Sequence, residues 1–132
     1  MIILTMRTDK PEAELGLYDD STQLGYYVWT AHRQLAETIH KQIKDLLDRY
    51  EQDVGDIHGL IVFAGPGSFT GLRIGVSVAN ALAYSLSIPV VASLTDDWIA
   101  LGRELLPLAS QQSATYVLPV YGTPINITAP RK

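Results

Sequence analysis

The chain has 132 residues, no cysteine and a formal net charge of −4, with 47% hydrophobic and 18% charged residues. That length supports one cored domain, the missing cysteines exclude disulfides and thiolate metal sites, and the ten scattered Lys and Arg form no basic stripe for gripping nucleic acid directly. No apolar run nears the roughly 20 residues of a membrane span, and the start MIILTM lacks the basic flank of a signal peptide, so a cytoplasmic protein with at most indirect contact to RNA is expected.

Ile2 to Arg7 reads as a first strand, closed by the turn cluster Thr8-Asp9-Lys10-Pro11. Ala13 to Tyr18 and Leu24 to Trp29 follow as strands around the turn Asp19-Asp20-Ser21-Thr22, which predicts an antiparallel meander. From Ala31 to Tyr50 the period becomes helical, with Leu35, Ile39, Ile43, Leu46, Leu47 and Tyr50 on one stripe. Leu60 to Ala64 is continuously apolar, as in a strand buried on both faces. A sharp Gly65-Pro66-Gly67 turn then leads into a helix from about Thr70 to Ser87. Ile88 to Ala92 is the next strand. Ser93 with Asp96 reads as a capping box opening a helix that carries Trp98, Ile99, Leu101 and Leu105. Pro107 to Ala114 reads as a linker, Tyr116 to Tyr121 as a last strand, and Pro124 to Lys132 as a loose tail. The fold class is α/β: an antiparallel meander followed by parallel crossovers in a mixed five-stranded sheet flanked by helices. By analogy this is a single RNase H-like or actin-like lobe over residues 1–105, with residues 106–132 as a remnant linker and tail.

The second helix is apolar almost all round. Gly71, Gly75, Ala79, Ala83 and Ser87 form a row of small side chains, and Ile74, Val78, Leu82 and Leu86 a bulky row beside it. If the bulky row covers the sheet, Leu72, Val76 and Tyr84, with Asn80, remain for a partner; packing within the chain is the alternative. Arg73 in the first turn opposes the helix dipole. Asp96, Asp97 or Glu37 could compensate it within the chain, as could a carboxylate from a partner.

GPGSFTG, from Gly65 through Pro66, Gly67, Ser68, Phe69 and Thr70 to Gly71, reads first as a tight strand-to-helix turn. Gly65 and Gly67 can take positive φ, and Ser68 or Thr70 can cap. A phosphate cradle at the helix N-terminus is the alternative, disfavoured because the P-loop spacing and Lys are missing. The longer run GPGSFTGLRIG, to Gly75, is similar at nearly every position to the signature of the TsaB (YeaZ) family. His32 before Leu35, and Ile88-Pro89-Val90-Val91 with Ser93-Leu94, extend the resemblance over residues 1 to 105.

The resemblance implies an actin-like, non-catalytic scaffold that activates the paralogue TsaD in transferring threonylcarbamoyl to the adenosine beside the anticodon of tRNA. It implies a heterodimer with TsaD through the first and second helices, joined by the ATPase TsaE. Leu72, Arg73, Val76, Ala79, Asn80, Ala83, Tyr84, His32 and Leu35 are then the candidate partner face. No catalytic residue and no metal ligand is expected, and ATP and metal belong to the partner subunits. Relatives with catalytic activity carry an acid at the end of strand one, where this chain has Arg7; a cation there does not hold Mg²⁺, and Asp9 is the nearest substitute. His32, His40 and His58 form no HxxxH pair, so a zinc-protease reading has no support. A homo-oligomeric module using the same face, and a small nuclease-like or kinase-like enzyme, are the other readings. Family members carry a second lobe. Here only residues 106–132 follow, and Pro119 to Pro124 weakly resembles the family's terminal segment, as if the lobe were lost and its tail kept.

Overall fold

In a computed structural model of the chain, residues 1–94, 96–109 and 117 are described, apart from the side chains of His32, Phe69 and Ala109. Strands β1 (Ile2–Arg7), β2 (Glu12–Asp19) and β3 (Thr22–Thr30) lead into a 3₁₀ turn, His32–Gln34, and helix α1 (Leu35–Arg49). Strand β4 (Ile57–Phe63), helix α2 (Phe69–Leu86), strand β5 (Val90–Ser93) and helix α3 (Trp98–Ala109) follow. The five strands form one sheet in the order β3-β2-β1-β4-β5. The meander is antiparallel, with Leu4 opposite Leu17 and Leu15 opposite Tyr27. β4 joins β1 in parallel, and β5 joins β4 in parallel. Asp20 turns the β2–β3 hairpin at φ 54°, a left-handed conformation that Asp tolerates better than most residues.

Alternation along the strands splits the core in two. Leu4, Met6, Leu15, Leu17, Leu60 and Val62 pack with α1 and α2 on one face. Ile3, Tyr18, Ile61, Phe63 and Val91 pack with Trp98 and Leu106 of α3 on the other. β1 and β4 are covered on both sides, which is why they read as unbroken apolar runs. α1 buries Leu35, Ile39, Ile43, Leu46 and Leu47, and its outer face carries the ion pairs Lys41–Asp45 and Lys44–Asp48. The Tyr50 ring lies over Gly25, where a Cβ would come within 2.4 Å of it.

Around α3 the structure departs from the sequence reading. The expected capping box does not form: Ser93 ends β5, its Oγ is buried with no hydrogen-bond partner among the described residues, and an α3 bond runs from Leu101 N–H to the Asp97 carbonyl. Ser93 is claimed by the sheet because Ala64 N–H bonds its carbonyl. Pro107 lies inside α3, not in a linker. In the last turn its missing N–H costs one bond only, and the helix continues to Ala109. The expected lobe boundary after residue 105 therefore falls within α3, and Leu106, just beyond it, is a core residue only 2% exposed. The strand expected at Tyr116 to Tyr121 lies outside the described residues except for Val117, which belongs to no strand. Among the described residues no helix is long and apolar enough to cross a membrane.

Candidate partner face and signature turn

The signature segment is a close-packed turn built against the end of β1. Gly65 takes φ 121° before a cis peptide bond to Pro66, a conformation L side chains rarely adopt. Gly67 does not share that φ. It is required by proximity, since a Cβ there would stand 2.4 Å from the Asp9 Cβ. Ser68 N–H donates to the Asp9 carbonyl at 3.1 Å, and the Ser68 hydroxyl caps α2 by accepting from Gly71 N–H. Thr8, which the sequence did not single out, donates its hydroxyl to the Gly71 carbonyl at 2.7 Å. A Cβ on Gly71 would lie 2.1 Å from the Thr8 carbonyl oxygen, and one on Gly75 2.1 Å from its hydroxyl. The glycines of the signature thus let the start of α2 lie directly against Thr8 and Asp9, the two residues that follow β1.

At the same edge Arg7 grips Asp9 with two hydrogen bonds, of 2.8 and 3.2 Å, and stacks on Phe63 with its guanidinium carbon 4.0 Å from the ring centre. The Asp9 side chain is 8% exposed. Asp9, the nearest substitute for a metal-holding acid, has both oxygens engaged by a cation of its own chain, so the donor set does not fit a divalent metal. Among the described residues no three His, Cys, Asp or Glu converge. Asp9 holds the Arg7 pKa above its ordinary value, against the opposing effect of burial. Nearby, Lys10 pairs with Glu14 at 2.9 Å and the Tyr26 hydroxyl donates to the same carboxylate. Burial, then Glu14, pushes the Tyr26 hydroxyl pKa up.

The expected partner face on α2 is corrected by the structure. Leu72, Val76, Ala79 and Ala83 are at most 3% exposed, and Leu35 is buried at the start of α1. The small row, not the bulky one, faces the sheet, because Thr8 leaves no space for larger side chains. Ile74, Val78 and Leu82 are only partly buried at the rim of the core. Leu72, Val76, Asn80 and Tyr84 do not form one exposed face: each step of four residues turns about 40° around the helix, carrying the row from complete burial at Leu72 to 90% exposure at Tyr84. Arg73 and Tyr84 are exposed and Asn80 is half-buried, while the His32 side chain lies outside the described residues.

The surface that remains open runs between the two helices. Ala36 and His40 of α1, with Thr70, Arg73, Ile74, Ser77 and Val78 of α2, line a groove of about 360 Å³. Of these only Arg73 was among the expected contact residues. Ser77, one turn beyond Arg73, was missed because a serine in an apolar helix carries no pattern signal. A second cleft, of about 430 Å³, lies beside the turn and is lined by Lys10, Arg33, Ser68, Thr70 and Gly71 among others.

Residues 29–107, more than half of the chain, match the family described as TsaD, tRNA N6-adenosine threonylcarbamoyltransferase. The tRNA threonylcarbamoyladenosine biosynthesis protein TsaB of Bacillus subtilis (strain 168) is 32% identical over 92 residues, which are 70% of this chain and 40% of that protein. TsaB of Escherichia coli (strain K12) is 30% identical over 95 residues, 72% of this chain and 41% of that protein. The structure of YeaZ from Pseudomonas aeruginosa superposes with a TM-score of 0.66 at 27% identity, covering 70% of this chain and 43% of that one. This chain therefore spans about two fifths of the length of these relatives, and the actin-like lobe expected from the element order is the fold it adopts.

Proposed function

Because the chain belongs to the TsaD-type family, within its TsaB (YeaZ) branch, we propose that it is a non-catalytic, cytoplasmic subunit that binds TsaD and supports threonylcarbamoyl transfer to tRNA. The carrying observation is the groove between α1 and α2. It is an open surface between the two helices, and its floor of Ile74 and Val78 is partly buried already. A helix from a partner, laid between α1 and α2, would complete their burial. The exposed Arg73 and His40 at the rim supply polar contacts around that apolar floor. Contact with tRNA is then made through the complex, with TsaE as a further member, in keeping with the net charge of −4.

The Arg7–Asp9 pair supports the non-catalytic part of the reading, because both oxygens of the nearest acid to the end of strand one are engaged by Arg7 and not free for a metal. ATP and metal on this reading belong to the partner subunits.

Ser77→Glu and Ala36→Arg place charges in the groove without touching the core. Both variants should keep the melting temperature of the parent and lose TsaD in a pull-down, while Lys44→Glu, on the outer face of α1, should bind normally. Normal binding by both groove variants would move the contact elsewhere. Capture of a second copy of the chain in place of TsaD would favour a homodimer through the same face. Calorimetry of the isolated chain with Mg-ATP should show only the heat of dilution.

A further inference from the structure

The groove between α1 and α2 does not stop at the two helices. It shares Thr70 and Ile74 with the cleft beside the signature turn, so the two adjoin. Pro11, Ala31 and Leu35 carry the apolar lining onward, and Lys10 and Arg33 stand among them. Three of the chain's ten Lys and Arg (Lys10, Arg33 and Arg73), together with His40, line the combined channel, and none of its fourteen Asp and Glu does. That runs against the net charge of −4 of the chain as a whole. Arg33, His40 and Arg73 are exposed. The Lys10 side chain is 43% exposed and meets Glu14 at 2.9 Å. Glu37, the acid next to Ala36 in sequence, is not among the lining residues.

The fold gathers these charges from separate places. Lys10 follows β1, Arg33 sits in the 3₁₀ turn before α1, and Arg73 lies near the start of α2. An apolar channel rimmed by one sign of charge favours a ligand that is apolar on one side and carries the opposite sign along its flanks. A helix with an apolar stripe and acidic flanks has that form. A nucleic acid does not: no Phe, Tyr or Trp is among the lining residues for a base to stack on. The net charge of the chain also opposes a polyanion at longer range.

We propose that the groove and the adjoining cleft form one docking channel for an acidic amphipathic helix of a partner protein. Its apolar stripe lies on Ile74 and Val78, and its carboxylates meet Arg73, Arg33 and Lys10. An ammonium has three donors, so Lys10 can hold Glu14 and a second carboxylate together. The inference rests on the groove being a docking site, as read above, and adds the chemistry of what docks there. Rim charges act mainly on association rate and on the choice between partners, while the apolar floor supplies the burial.

Two labelled peptides, titrated with the full chain, test it. One is an amphipathic helix with a leucine stripe flanked by glutamates; the other has every glutamate replaced by lysine. Fluorescence anisotropy should show the glutamate peptide binding at least tenfold more tightly, with the gap narrowing as NaCl is raised to about 0.5 M. Arg33→Glu combined with Arg73→Glu should weaken the glutamate peptide at least tenfold at an unchanged circular dichroism spectrum. Arg33→Lys keeps the charge and should bind like the parent, as should Lys44→Glu on the outer face of α1. Equal binding of the two peptides, binding of neither, or an unaffected double variant would overturn the proposal. So would a tRNA that binds the parent more tightly than the glutamate peptide and is lost in the double variant, since the channel would then take nucleic acid. TsaD, assayed with the same variants, separates this inference from the reading beneath it. If Ser77→Glu loses TsaD but the double variant does not, the docking site stands and the acidic occupant is refuted. If the glutamate peptide behaves as expected while TsaD ignores every groove variant, the acidic channel stands and TsaD binds elsewhere.

Discussion

A single side chain on α2 discriminates between the face the sequence suggests and the face the structure presents. Val76 is 3% exposed between α2 and the sheet, whereas Tyr84, two turns on, is 90% exposed. Val76→Glu places an unpaired carboxylate in the core, at a cost of several kcal/mol, so the variant should be unfolded or insoluble by circular dichroism. Tyr84→Glu should stay within about 0.5 kcal/mol of the parent. Glu14 makes a pH prediction. Burial raises its pKa, but the hydrogen bonds from Tyr26 and Lys10 and the nearby Lys10 and Arg7 charges outweigh it and hold the carboxyl below the usual value. A carboxyl depressed in the fold contributes stability above its unfolded pKa of about 4.3. That contribution is lost as pH falls through the lower, folded value. Acidification below about pH 4 should therefore lower the melting temperature of the parent more than that of Glu14→Gln. Equal acid sensitivity would show that the Tyr26–Glu14–Lys10 network contributes nothing to the fold.

Among the elements, α2 is the one whose packing depends on missing side chains. Gly75→Ala would drive a methyl to 2.1 Å from the Thr8 hydroxyl, while Gly55, in the turn before β4, has nothing within 4 Å. The first change should destabilise by about 1–3 kcal/mol through overpacking, and Gly55→Ala should be close to neutral; chemical denaturation measures both. The strands and α1 were legible because alternation and the 3.6-residue period follow directly from burial. β1 runs from Ile2 to Arg7 as its apolar run predicts, and the stripe of α1 is the expected one. The orientation of α2 was not legible. In an almost wholly apolar helix, periodicity does not say which row meets the sheet, and the deciding fact, the Thr8 carbonyl against Gly71 and the Thr8 side chain against Gly75, links positions more than sixty apart. Ser93 misled for a related reason. A serine three residues before an acid fits a cap equally well whether or not a neighbouring strand has claimed its backbone.

At the scale of the molecule, the place where the lobe can be cut follows from α3. Removing everything after Glu104 deletes Leu106, which packs against Gly59, so that shortened chain should lose about 2–5 kcal/mol for the core leucine alone. Cutting after Ala109 keeps Leu106 but removes Val117, a core residue 9% exposed, so its melting temperature should lie between those of the 104-residue form and the full chain. If the two shortened forms melt together, Leu106 contributes little.

The position of β1 in the sheet also has a consequence for synthesis. It is made before the other four strands of the sheet, and it pairs on one side with β2, its sequence neighbour, and on the other with β4, where Ile3 meets Gly59 and Met6 meets Val62. The meander can zip as soon as it emerges, but the other edge of β1 stays bare until β4 has been made. Pairing between distant segments is the slow step in folding, and a bare apolar edge is a template for neighbouring nascent chains. The window between translation of Thr30 and of Phe63 is thus when this chain is most exposed to co-translational aggregation, and slower elongation across that interval should lower the soluble yield.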